Sequence, residues 1–307
     1  MNSRRKFIKK SCISALAITI LPSFTITNSE KTKITILHTN DTHSRINSFK
    51  NGKYKGYGGM AQRAAIINDI RKTNEHVLLL DAGDIFQGTP YFNYFKGELE
   101  FRLMSEMKYD AATLGNHDFD NGLYGLAKQL PNAKFPFLIA NYNFDKTILK
   151  NKFQEYKIFN KGGIKIGVFG IGIKLDGLVP KELYGNVIYE NPINKSNEIA
   201  EYLKKEKKFN LIICLSHLGI KYDDDKDSDV LLAQQSKYID LIIGGHTHSF
   251  LKEPIKINNK EKKEVIINQV GWGGINLGKI DFHFNRNTLL NTTFGGPIFV
   301  KKNTKFI

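Results

Sequence analysis

Ile34-Thr35-Ile36-Leu37-His38-Thr39-Asn40-Asp41-Thr42-His43-Ser44 is a short apolar run that ends in a cluster of polar, metal-capable side chains. The apolar part predicts a buried strand and the polar part the loop after it. The same pairing recurs along the chain. Val77–Leu80 leads into Asp81-Ala82-Gly83-Asp84, and Ala111–Leu114 into Gly115-Asn116-His117-Asp118-Phe119-Asp120. Leu211–Leu215 leads into Ser216-His217, and Leu241–Ile243 into Gly244-Gly245-His246-Thr247-His248. Six of the eight histidines, His38 included, fall at these strand ends.

Apolar residues at helical spacing over Met60–Arg71, Leu99–Met107 and Ile199–Lys205 separate several of the runs, and Ile166–Phe169 adds another strand. Such alternation predicts an α/β fold with a mainly parallel, buried sheet. Ligands of open α/β sheets bind outside the carboxyl ends of the strands, so these loops should converge on one edge. Glu264–Gln269 and Lys279–Phe284 follow without an intervening helix, which predicts a second sheet or an antiparallel edge. The segment from Gly295-Gly296-Pro297 reads as a terminal strand or tail. There is no internal repeat and no Pro/Ser-rich linker, so residues 30–307 read as a single domain.

Composition excludes several classes. The 307 residues are 41% hydrophobic and 24% charged, proportions that rule out wholesale disorder. Two cysteines rule out a disulfide scaffold, and Cys214, inside Leu211–Leu215, reads as a buried, inert thiol. Lys and Arg total 45 against 30 Asp and Glu, a net charge of +15. Much of that excess is scattered lysine on solvated faces, with no Arg-rich stretch interleaved with aromatics, so no nucleic-acid partner is expected.

Residues 1–29 read as an export signal. Asn2-Ser3-Arg4-Arg5-Lys6-Phe7-Ile8-Lys9-Lys10 is a basic start, and the apolar segment from Cys12 to Ile26 is shorter than a membrane span needs. Ser3-Arg4-Arg5-Lys6-Phe7-Ile8-Lys9 resembles a twin-arginine signal, which implies export of a folded chain to the periplasm or cell envelope. No stable membrane span is expected, and the cleavage position is not visible in the sequence.

His, Asp and Asn together are hard or borderline ligands, suited to Zn, Mn or Fe rather than to thiolate chemistry. In an extended backbone, Asp-x-His and His-x-His point both side chains the same way, so each pair could serve one site. Gly83 gives Asp84 room for a sharp turn.

The ordered set D-x-H, G-D, G-N-H-[DE], a lone His and G-H-x-H resembles the calcineurin-like metallophosphoesterase superfamily. Within it, the text around residues 35–43, 58–61, 83–90 and 115–122 is most similar to the metallophosphatase domain of 5′-nucleotidases and UDP-sugar hydrolases. The resemblance covers about residues 33–290. It implies an α/β/β/α sandwich and two divalent metal ions. One ion would be held by Asp41, His43 and His248, the other by Asn116, His217 and His246, with Asp84 bridging. Two such ions clamp phosphoryl oxygens and supply hydroxide at neutral pH for in-line attack on a small anionic phosphate ester. His117 would face the substrate, oriented by Asp120, with Asp118 as a rival partner. His38 reads as a core or supporting histidine, and Trp272 as a packing residue that could line the pocket.

Two departures from the resemblance bear on substrate. Full-length 5′-nucleotidases carry a C-terminal domain whose aromatic residues sandwich the nucleobase, and 307 residues leave no room for it. Either a separately encoded partner supplies that domain, or the enzyme acts on a broad range of phosphoesters. Several two-domain nucleotidases also have an amide where this chain keeps His248. The competing readings are a cyclic-nucleotide phosphodiesterase, a pyrophosphohydrolase, a sulfur-ester hydrolase, and a non-catalytic subunit on the same scaffold.

Overall fold

The run at Ile34 forms the middle of β1 (Lys31–Thr39), and the strands on either side of it set the architecture. The computed structural model describes residues 31–224 and 226–302. The basic leader, its apolar run and Cys12 lie outside the described residues. After β1 come α1 (Met60–Thr73), β2 (Val77–Asp81), α2 (Pro90–Phe95), α3 (Glu98–Glu106) and β3 (Ala111–Ala112). Next are α4 (Gly122–Gln129), β4 (Tyr142–Asn143), β5 (Tyr156–Lys161), β6 (Ile164–Ile171), α5 (Lys181–Tyr184) and β7 (Ile188–Tyr189). α6 (Pro192–Lys205), β8 (Leu211–Ser216), α7 (Asp229–Gln235) and β9 (Leu241–Gly244) follow. The C-terminal part is all strand: β10 (Ile255–Asn258), β11 (Glu264–Asn268), β12 (Asn276–Asn285), β13 (Thr288–Phe294) and β14 (Ile298–Phe299).

Local chemistry starts the helices. The Thr89 and Ser228 hydroxyls accept the Tyr91 and Leu231 amides ahead of α2 and α7, and Asn191 accepts the Asn194 amide ahead of α6. Pro90 and Pro192 fill first-turn positions, where a missing N–H costs nothing.

Two six-stranded sheets form. One has the order β13-β12-β1-β2-β3, with β14 added beside β12; the other has the order β10-β11-β9-β8-β6-β5. The centres are parallel (β1-β2-β3 and β6-β8-β9-β11), and β12 and β5 run antiparallel at their flanks. Two sheets form because β6, β8 and β9 pair with one another and not with β1–β3, and the C-terminal strands β11 and β12 return beside β9 and β1.

The period-two pattern of the strands sorts the core into three layers. Ile34, Ile36, Leu78 and Leu80 pack with Ile213, Leu215, Ile243 and Phe282 between the sheets. Leu37 and Leu79, on the alternate face, pack under Ile66, Ile67 and Phe101 of the first helical layer. Ile212 and Cys214 pack under Ile199 and Leu203 of the second. This is the α/β/β/α sandwich, and Cys214 is a free, buried thiol within it. His38 shares the inter-sheet face and is fully buried. Its Nε2 lies 3.0 Å from the Asn268 amide, which ties β1 to β11 in the opposite sheet. Among the described residues no helix is long and apolar enough to cross a membrane.

Candidate metal centre

The carboxyl ends of both sheets supply the polar loops. Asp41 and His43 follow β1, Asp84 follows β2, and Asn116 and His117 follow β3. His217 follows β8, and His246 and His248 follow β9. The loops meet at the seam between the sheets, so neither sheet alone carries the set. Two groups of ligand atoms result, one of Asp41, His43 and His248 and one of Asp84, His217 and His246, each within 4.8 Å internally. The Asn116 Oδ1 lies 2.9 Å from the His246 Nδ1 and so joins the second group.

Backbone geometry corrects one expectation. The Asp-x-His and His-x-His pairs are not extended. Asp41, His43, Asp84, His246 and His248 all have positive φ, at 48°, 45°, 55°, 72° and 52°. Left-handed turns at non-glycine residues cost free energy and persist where the surroundings over-determine them. Here they turn each side chain into the seam, which a straight strand end would overshoot.

Gly83 does what the sequence suggested, for a closer reason than turn freedom. A Cβ there would lie 2.5 Å from the Gly115 amide nitrogen and 3.0 Å from the His217 Nδ1. Strand ends from both sheets therefore meet over a hydrogen atom.

Asp118 is the tie the sequence left open. It is fully buried, and its carboxylate accepts four backbone amides: Asp84 at 3.0 Å, Ile85 at 2.9 Å, Phe86 at 3.2 Å and Gly115 at 2.8 Å. It does not orient His117. The His117 Nδ1 instead lies 2.9 Å from the Asp120 Oδ2.

Hydrogen bonds behind the cluster aim lone pairs into it. The His217 Nδ1 donates to the Ala82 carbonyl at 2.6 Å, and the His43 Nδ1 to the Phe86 carbonyl at 3.3 Å. A carbonyl only accepts, so each Nδ1 carries a proton and each Nε2 faces inward. The buried His217 Nε2 has no hydrogen-bond partner, although the Asp84 Oδ2 is 3.1 Å away. The His43 and His248 Nε2 atoms stand 2.9 Å apart. The His117 amide takes the other Asp84 oxygen, Oδ1, at 2.8 Å. That leaves Oδ2 between His217 and, at 3.9 Å, His43.

Lone pairs of this kind repel one another unless a cation lies between them. The donor set of nitrogen and oxygen with no sulfur fits a divalent transition ion. Without an ion, a proton takes part of that place. Burial opposes charge on His217, but Asp84 and Asp41 outweigh it and push its pKa up to about 10. Burial would raise the Asp84 carboxyl, and His217 beside it holds it below the ordinary range. Burial and the neighbouring His217 take His246 down to about 4. At the more open lip, the hydrogen bond to Asp120 raises His117 against the opposing effect of burial.

Some supporting residues carried no signal in the sequence. The Asn40 amide donates to the Asp41 Oδ2 and to the Gly271 carbonyl, both at 2.6 Å. Gln269, at the end of an expected strand, accepts from Thr247 and Ser249 and so props the loop carrying His246 and His248. Trp272, by contrast, reads from the sequence as a packing residue that could line the pocket, and it stacks on the His248 ring, 5.9 Å between centroids and 15° between planes.

Comparison with known proteins agrees with this geometry. The family described as calcineurin-like phosphoesterase matches residues 34–250. A snake venom 5′-nucleotidase of Gloydius brevicauda is 35% identical over 301 residues, covering 88% of this chain and 48% of that protein. A 5′-nucleotidase of Vibrio cholerae is 33% identical over 330 residues, covering 97% of this chain and 59% of that protein. The solved 5′-nucleotidase precursor of Thermus thermophilus matches with a TM-score of 0.77 at 30% identity, over 88% of this chain and 55% of that one. The chain spans about half the length of the curated relatives it matches. By sequence match, by fold and by the order of its strand-end residues, the chain belongs to the calcineurin-like phosphoesterase family.

Proposed function

We propose that this protein is an exported, dinuclear-metal phosphohydrolase of 5′-nucleotidase type, acting on nucleotides or related phosphomonoesters. The observation that carries the reading is the convergence of inward-facing lone pairs on the buried Asp84 Oδ2. Asp41, His43 and His248 would hold one divalent ion (Zn, Mn or Fe). Asn116, His217 and His246 would hold the second, with Asp84 between them. When bound, such a pair neutralises phosphoryl oxygens and lowers the pKa of water.

The remaining work belongs to side chains. Asp118 fixes the turn that presents Asp84. His117 lies at the lip, its ring 5.3 Å from that of His43, where it can reach a bound phosphate ester. With Asp120 behind it, protonated His117 stabilises developing charge or gives a proton to the leaving oxygen. The basic start of residues 2–10 supports export by the twin-arginine route.

The test is phosphate release by the purified chain from residue 30 onward, loaded with Mn or Zn. The substrates are AMP, UDP-glucose, a 2′,3′-cyclic nucleotide and an aryl phosphate. Two ions per chain, and AMP turnover lost in His117→Ala, are the expected results. Two bound ions with no turnover of any substrate would refute the standalone enzyme. Export is checked separately: Arg4→Lys with Arg5→Lys should leave the protein in the cytoplasm.

A further inference from the structure

Beside the metal-capable cluster lies a cavity of about 650 Å³, a size that suits a small organic ligand. Tyr91, Tyr94 and Phe95 of α2 line one side, and Phe49 and Arg45 line the other. Tyr94, at the rim, is 81% exposed and leaves its ring open to the cavity mouth. Among the described residues no acid lines the cavity, while Arg45 and Lys50 give it positive charge.

The cavity adjoins the ligand cluster through named contacts. Arg45 is two residues beyond His43. The Ser44 and Thr89 hydroxyls are hydrogen-bonded at 2.9 Å, which joins the loop after β1 to the start of α2. Phe49 meets Trp272 edge-on at 5.4 Å, and Trp272 is the ring stacked on His248. One aromatic series thus runs from the cavity wall to a candidate ligand.

Arg45 is the informative side chain. Its guanidinium lies 4.2 Å over the Phe49 ring, and its buried Nε has no hydrogen-bond partner. Among the described residues it makes no ion pair. A guanidinium over an aromatic ring, with a donor unspent, is matched by an anion carried on a ring-bearing ligand.

We propose that this cavity holds the leaving group of the substrate, and that this group is an aromatic, base-bearing alcohol with a negative charge of its own, such as a nucleoside carrying a further phosphate. The inference rests on the phosphohydrolase reading and deepens it. In the reaction, water adds to phosphorus and the bond from phosphorus to the leaving oxygen breaks. That oxygen takes a proton, and the freed alcohol remains between the tyrosines with its charge on Arg45 until it departs.

Trp272, the only tryptophan in the sequence, reports occupancy by fluorescence without turnover. Metal-depleted protein, kept in chelator, is titrated with AMP, adenosine and inorganic phosphate. AMP should bind at least tenfold more tightly than either of the others. Arg45→Met should bring AMP to the level of adenosine, and Arg45→Lys should restore part of the difference. Tyr94→Ala, at an exposed position that folding does not need, should weaken AMP and adenosine alike. Equal binding of AMP and adenosine, or an Arg45→Met protein that still prefers AMP, would overturn the proposal. Turnover of 4-nitrophenyl phosphate by metal-loaded wild-type protein separates the two readings. Turnover without AMP preference overturns the cavity assignment alone. AMP preference without any turnover overturns the hydrolase reading and the leaving-group role with it.

Discussion

His117 couples a titrating ring to the seam through one carboxylate. Its folded pKa is raised, chiefly by the hydrogen bond to Asp120, so the imidazolium survives to higher pH than in a free histidine. Asp120→Asn removes that cause. The alkaline limb of kcat should move to lower pH, as a raised pKa falls back, and a limb left in place would show that Asp120 does not set the proton. Deleting the ring itself, His117→Ala, should lower kcat about 10²–10⁴-fold, the usual worth of a positioned acid or base. Metal content measured by elemental analysis should stay at the wild-type level. The sequence favoured Asp120 over Asp118 for this role. The reason appears only in three dimensions: one carboxylate is spent on four backbone amides and the other is free to face the ring.

At the scale of elements, Asp118 joins the loop after β2 to the loop after β3. Asp118→Ala strands four amides where water does not reach. With a cost of about 1–3 kcal/mol for a buried group left unpaired, a loss on the order of 3 kcal/mol is expected after partial relaxation. Thermal unfolding should show a drop of several degrees and metal titration a weaker affinity, since Asp84 loses its fixed turn. A protein melting within a degree of wild type with unchanged affinity would contradict this. The strands and their polar ends were legible because short aliphatic runs followed by Gly, Asp and His have few other uses. The left-handed turns at Asp41, His43 and His248 were not, because residue type alone does not set φ. The amides bound by Asp118 were hidden too, lying up to 34 residues upstream. The cavity at Arg45 was invisible for a similar reason: Tyr91 and Tyr94 belong to a short helix whose face is set by how α2 docks, not by its own pattern.

For the molecule as a whole, buried titrating groups predict how stability follows pH. Burial raises the carboxyls of Asp81 and Asp118 to about 7 and of Asp229 to about 8, and Asp84 and Asp41 raise His217 to about 10 despite its burial. Each folded pKa exceeds its unfolded value, so each contribution is present at low pH and is lost as pH rises through the folded pKa. The lowered histidines, His38 and His246, act in the opposite sense but are spent by about pH 6.5. The carboxyl contributions are largely lost by pH 7 to 8, and His217 carries the fall from there to about pH 10, so metal-free protein should melt at steadily lower temperature from pH 7 to pH 10. Added Mn or Zn should restore more stability at pH 9 than at pH 7, because an ion competes with a proton for His217. A melting temperature that rose over this range in chelator would refute the account. The order of strands has a consequence on another clock. β1 is flanked on one side by β12, which is made long after it; Lys31 pairs with Asn285. A ribosome must therefore deliver everything from Lys31 to Asn285 before β1, which can pair early with β2, finds this second neighbour. Contacts so distant in sequence close slowly. During that interval the nascent chain presents an unpaired aliphatic edge to chaperones, and any step that needs the folded form has to wait for β12.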